Sequence, residues 1–223
     1  MNKYLPLSFL LLLAISQLAC RSGRQFGHPD VATARIRSIA ILPAHVVYTG
    51  HQPKHMQEAD WQRLLNYESR AYSEALHQNL LRYSERRRKI GGATLQSPAK
   101  THALLQQEGL SWQEVAEANP DKLAQLLGVD AVVTLGVHTN KIMSDAAAMV
   151  LGSARQILFG AGVNPAITQG IPTQTGHINA SASLVFAGNA IWTANYQSPT
   201  HWQQGNQGAI AAVTRRMGRG FPY

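Results

Sequence analysis

The sequence predicts an α/β fold with a mixed central sheet, a parallel β–α–β core, an antiparallel C-terminal hairpin and helices packed on the sheet. Three observations carry this. Two apolar runs, RIRSIAILP at Arg35–Pro43 and VDAVVTLGV at Val129–Val137, read as strands largely buried on both faces. The second follows directly on a helical stretch and a glycine, which is the return leg of a right-handed crossover and sets a parallel pair at the centre of the sheet. Near the C-terminus, HINASASLVFAGNAIWTANY alternates with period two about Gly188-Asn189, the pattern of an antiparallel hairpin. Apolar residues make up 45% of the 223, enough for a sizeable core without a disulfide, and Cys20 is the single cysteine.

Each element has its own local reason. The domain is expected to begin near Ala34, and Pro43 stops its first strand. From Ala44 to Glu58 the chain is rich in His, Gln, Pro and Gly and reads as a long connection. Over Ala59–Tyr83, Trp61, Leu65, Tyr72, Leu76, Leu80 and Tyr83 recur at spacings of four, seven or three, one stripe of a long amphipathic helix. The run Arg86-Arg87-Arg88-Lys89 suits the negative end of that helix's dipole, and Gly91-Gly92 then breaks it. A short strand is expected at Thr94–Gln96, then a helix at Ala99–Glu108 with Ala103, Leu104 and Leu105 inside and Gly109 as its stop. Ser111 and Glu114 form a capping-box pair for a helix over Trp112–Ala118. Pro120 opens another at Asp121–Leu127, ended by Gly128.

Residues Ala146–Val163 (AAAMVLGSARQILFGAGV) are apolar and small, yet one arginine and three glycines make a poor membrane-spanning helix. The expectation is an amphipathic helix or hairpin lying on the domain or on a neighbour, with Met149, Leu151, Arg155, Ile157, Leu158 and Phe159 as candidate partner contacts. Asn164–Gly176 reads as a loop. In the hairpin, Ile178, Ala180, Ala182, Leu184 and Phe186 share one face, and Trp192 and Tyr196 share one on the returning strand, where Trp192 is read as core. A helix at Gly205–Arg219 carries Ile210, Val213 and Met217, and Phe221-Pro222-Tyr223 is expected to dock on the domain, a partner-binding tail being the competing reading.

Catalytic constellations are wanting. No Gly-x-Ser-x-Gly, Ser-x-x-Lys or Walker lysine-serine pair occurs, and Gly160-Ala161-Gly162 lacks both the third glycine and the preceding strand of a dinucleotide site. Pro53 between His51 and His55 keeps them from sitting one helical turn apart, so no metal site is assigned. His77, beside the helix stripe, is read as a boundary residue. Asp130 is read as a hydrogen-bonding anchor at the start of a buried strand, the alternative being an acid or base in a cleft. The formal charge is +8, of which Lys3 carries one, and it clusters in the run from Arg86 and again at Arg215-Arg216 with Arg219, most simply as solvated helix ends. Such a balance is compatible with anionic lipid, cell-wall polymers or nucleic acid.

The N-terminus supplies the location. Met1-Asn2-Lys3, the apolar stretch Leu5–Ile15 and Leu18-Ala19-Cys20 follow the layout of a secretory signal, too short to span a bilayer, for which ~20 apolar residues are needed. The pattern resembles the bacterial lipoprotein signal, with Gln17 where that signal usually has an aliphatic residue, and the resemblance implies diacylation of the Cys20 sulfur. The alternative is an ordinary secretory signal that leaves a free thiol. Residues 1–19 are thus expected as a signal peptide, 20–33 as a flexible tether and 34–223 as one α/β domain. A secreted location makes nucleic acid the least fitting partner.

SIAILPA (Ser38–Ala44), LAQLLGVDAVVTLGV (Leu123–Val137), SLVFAGNAIWTANY (Ser183–Tyr196) and the closing Phe-Pro resemble a group of envelope lipoproteins. The group includes the curli secretion channel lipoprotein and the lipoprotein activators of penicillin-binding proteins, whose domain is similar to the N-terminal domain of the Tol translocation protein. THALLQQEGL, LGVDAVV, IMSDAAAM and RRMGRGFPY look like a family of secreted Bacteroidetes proteins. The resemblance implies a non-enzymatic module without cofactors or catalytic residues. Where those relatives have Asp before the hairpin glycine, this chain has Ala187, which leaves room for a different turn. The expectation is a periplasm-facing lipoprotein, held at the outer membrane by its acyl chains, that binds another envelope protein or copies of itself. The alternatives are a subunit of a ring-forming secretion channel, and a cell-wall or nucleotide-acting enzyme in which His45, His51, His138 and Asp130 converge.

Overall fold

A computed structural model describes residues 36–50, 57–87, 93–161, 174–201 and 205–222. The expected signal peptide, Cys20, the tether, His51, His55, Arg88-Lys89, Gly91-Gly92 and Tyr223 lie outside the described residues. In chain order the elements are β1 (Ser38–Ile41), β2 (His45–Gly50), α1 (Glu58–Arg87), β3 (Thr94–Leu95), α2 (Pro98–Gln107), α3 (Trp112–Glu117), α4 (Pro120–Leu127), β4 (Ala131–Lys141), α5 (Asp145–Gly160), β5 (Gln174–Phe186), β6 (Asn189–His201) and α6 (Gly205–Gly218).

The sheet is mixed, as expected, with strand order β3-β1-β4-β5-β6. β3, β1 and β4 are parallel, and β4, β5 and β6 are antiparallel. β1 and β2 both pair with β4, the first along Ala131–Val133 and the second along Gly136–Lys141. β2 corrects the expectation of an unstructured connection from Ala44. HVVYTG is a short β-branched run whose pairing with β4 holds it extended, and the His, Gln, Pro and Gly that follow it masked that pattern.

Alternation at β1 and β4 explains their apolar sequences. Ile39, Ile41, Val133, Leu135 and Val137 face a core shared with Tyr72, Leu76 and Leu80 of α1 and with Ile210, Val213 and Met217 of α6. Ala40, Leu42 and Val132 face a second core under Leu105, Val115, Leu123 and Leu127 of α2, α3 and α4. The central strands are therefore buried on both faces, whereas β5 buries one face, with Ile178, Ala180, Ala182 and Leu184 inside and His177, Asn179 and Ser181 exposed.

Helix ends follow the sequence signals closely. Ser111 accepts from the Glu114 amide while the Glu114 side chain accepts from the Ser111 amide, so the capping box forms. Gly128 ends α4 in the left-handed region. In α2 the inward face differs from expectation: Thr101, His102 and Leu105 are buried and Ala103 is exposed, because three consecutive residues span about 200° of a helix and cannot all face one core. β5 begins at Gln174, inside the expected loop, because Gly176 pairs with Lys141. Arg215 and Arg216 are exposed in the last turn of α6, a solvated helix end.

Ala187 and Gly188 make a two-residue turn with φ of 47° and 75°, so the tight turn survives without Asp. Phe221 docks as expected, buried edge-to-face against Trp192, whose ring centroid is 5.1 Å away, and the Trp192 Nε1 donates to the Gly220 carbonyl at 2.8 Å.

Candidate functional site

Two surfaces stand out, one apolar and one a groove. The first is α5, a helix rather than a hairpin, inserted where β4 leaves the sheet and β5 re-enters it. Backbones approach closely at that point: a Cβ on Gly176 would lie 2.0 Å from the Asn140 carbonyl oxygen. At 100° per residue, Met149, Val150 and Ile157 fall within one arc of about 100°. Their exposures are 55, 68 and 71%, and Leu158 at the flank reaches 36%. Leu151 is half-buried, toward the domain. Arg155 and Phe159 belong to the helix, and their side chains lie outside the described set. Val150 was absent from the sequence candidates, although its seven-residue spacing from Ile157 signals a shared face.

The second surface is a groove of about 420 Å³ lined by Ala44, His45, Val46, Val47 and Tyr48, by Glu58, Trp61, Gln62, Leu65, Asn66 and Ser69 of α1, and by Trp112 and Gln113 of α3. Five consecutive residues of one segment line it, and successive side chains point to opposite faces, so the groove runs along the edge of β2 rather than across the sheet. The two helices wall it from opposite layers. Tyr48 and Trp61 meet edge-to-face at 5.3 Å, and the Arg70 guanidinium lies 5.1 Å over the Trp112 ring. Behind that ring His102 is buried, with Ser73 Oγ at 3.3 Å, and desolvation together with Arg70 lowers its pKa to about 4, which keeps it neutral.

A buried carboxylate lies behind β2. Glu68 is 1% exposed and accepts from Tyr48 OH and from Asn206 Nδ2, both at 2.6 Å. Burial raises its pKa above the ordinary carboxylate value despite the Tyr48 hydrogen bond and the charge of Lys141. The trio ties β2 and α1 to the first turn of α6.

Of the four residues the enzyme reading gathers, His51 lies outside the described residues, and Asp130 does not join His45 and His138. His45 and His138 approach ring to ring at 6.4 Å. Asp130 precedes β4, and eight residues of strand put it about 26 Å from His138. Asp130 is the anchor expected: its Oδ2 accepts from the amides of Arg37 and Ser38 and from the Ser38 hydroxyl at 2.8–2.9 Å, which lowers its pKa. Among the described residues no three His, Cys, Asp or Glu side chains are grouped to hold a metal, and no helix is long and apolar enough to cross a membrane.

No protein-family model matches the chain, and no curated protein does. Lipoprotein GNA1162 from Neisseria meningitidis is similar at 15% identity and a TM-score of 0.44, over 79% of this chain and 92% of its own. The LpoB C-terminal domain from Salmonella enterica is similar at 14% and 0.33, over 83% and 93%. The PelC dodecamer from Paraburkholderia phytofirmans is similar at 10% and 0.38, over 88% and 93%. Lipoproteins, the group the sequence motifs resemble, are represented among these structural neighbours.

Proposed function

We propose that this chain is a periplasm-facing lipoprotein of the cell envelope, acylated at Cys20, whose single α/β domain (34–223) acts as a non-enzymatic binding or scaffold module in envelope assembly or secretion. The observation that carries the reading is the arc of Met149, Val150 and Ile157, large apolar side chains left in water on a helix at the end of the sheet. A contiguous exposed apolar face marks a contact surface. The signal pattern supports the anchor, since each buried CH₂ contributes ~0.8 kcal/mol and two or more acyl chains hold a protein where one is marginal. The polar segment Arg21–Thr33 gives the domain reach toward a partner, which is another envelope protein or a further copy of the chain.

The reading is tested in the native envelope. Labelling with a lipid precursor is expected to mark the wild type and not Cys20→Ala, and label persisting in the variant refutes the anchor. A photo-crosslinker at Val150 is expected to join one partner, lost in Ile157→Glu while the unfolding free energy stays within about 0.5 kcal/mol of wild type, the usual range for exposed sites. The same crosslinks surviving Ile157→Glu would move the contact elsewhere. Since α5 is helical, it supplies no alternating membrane strand of the kind a ring-forming channel uses. Purified protein that makes liposomes leak would revive that alternative.

A further inference from the structure

The groove beside β2 is a second, independent surface, and its geometry specifies the shape of what fills it. Among the described residues β2 pairs with β4 alone, so its other edge meets no described strand. Proteins usually blunt such edges with proline, charge or brevity. The other two outer strands show this: β3 has two residues, and β6 carries Pro199. β2, HVVYTG, has neither proline nor a lysine, arginine or carboxylate. Instead it is recessed, with α1 on one side and α3 on the other. One position on this flank is already closed, where the Ala44 amide donates to the Ser69 carbonyl at 3.3 Å, and the groove begins there.

We propose that this groove binds an extended peptide segment of a partner protein, which adds to the sheet as a strand alongside β2. The five lining residues Ala44 to Tyr48 span about 17 Å, the length of a five-residue strand. Main-chain pairing supplies the attachment, and alternate side chains of the peptide supply selectivity. One set faces Trp61 and Leu65, the other faces Trp112, so an aromatic or large aliphatic anchor fits. Glu58 is the only acidic, lysine or arginine side chain among the described lining residues. It favours a lysine or arginine next to the anchor. The amide side chains of Gln62, Asn66 and Gln113 line the same walls and can bond the peptide's outer carbonyls and amides.

The test uses the full chain, purified in detergent, against arrays of synthetic decapeptides with an aromatic or aliphatic anchor, with or without an adjacent lysine. Matching peptides N-methylated at alternate amides and chito-oligosaccharides serve as the other probes. The expected result is micromolar binding of lysine-bearing peptides, at least tenfold weaker after N-methylation, with slowed amide exchange confined to β2. Trp61→Ala is expected to weaken binding about tenfold. Because Trp61 packs on Tyr48, the exposed Glu58→Lys provides a variant that leaves the fold intact, and it is expected to reverse the preference from lysine-bearing to glutamate-bearing peptides. No binding by any peptide overturns the proposal. So does binding indifferent to N-methylation, saccharide binding that protects the groove in place of peptides, or concentration-dependent self-association through β2.

Discussion

Ala187 shows how one residue can carry a cost that its neighbours make worthwhile. An L-residue in the left-handed region pays about 1–2 kcal/mol, and Ala187 sits there at φ 47°. The turn is held by Gly188, whose amide donates to the Asp121 carboxylate at 2.8 Å and so ties the hairpin tip to the start of α4. Ala187→Asn is therefore expected to stabilise the protein by about 1 kcal/mol, read as a higher urea midpoint with unchanged slope. Glu68 is strained in another way, through desolvation. Its folded pKa is raised above 4.5, so between that value and the folded pKa the folded chain holds more protons than the unfolded one. Stability from this group consequently falls as pH rises through that window and is greatest below it. Glu68→Gln is expected to remove this fall, and thermal midpoints measured from pH 4 to 7 check it.

At the scale of elements, the short helices depend on their ends. α3 has six residues, too few to persist on propensity alone. Its capping box and the burial of Val115 hold it, and through it Trp112 at the groove. Ser111→Ala is expected to cost about 1 kcal/mol of global stability, measured by chemical denaturation, and to loosen amide protection first in α3. A global loss with α3 as protected as before would place the cap's contribution elsewhere. α5 is the opposite case: its sixteen residues are long enough to form without such a cap, and its apolar arc stays exposed.

Across the whole molecule, the C-terminus closes the larger core. α6 lies against α1, where Asn79 Nδ2 donates to Thr214 Oγ1 at 3.1 Å and a Cβ on Gly218 would stand 3.0 Å from the Tyr83 ring. Beyond it, Phe221 covers Trp192 on β6. Phe221→Ala is expected to cost about 3 kcal/mol, since it opens a cavity over a buried tryptophan, and should lower the thermal midpoint by several degrees. A midpoint unchanged in that variant would mean the tail is not part of the core.

The features legible in the sequence were those written in local chemistry: the doubly buried strands at Ser38 and Ala131, the Ser111 cap, the Gly128 stop and the hairpin about Gly188. Each depends on residues a few positions apart, so periodicity and capping signals suffice. β2, the phase of α2, the exposure of Val150 and the groove between Trp61 and Trp112 were not legible. These depend on which segments meet across the fold. A six-residue edge strand is held by its partner rather than its own pattern, and a groove exists only where three separate elements leave a gap.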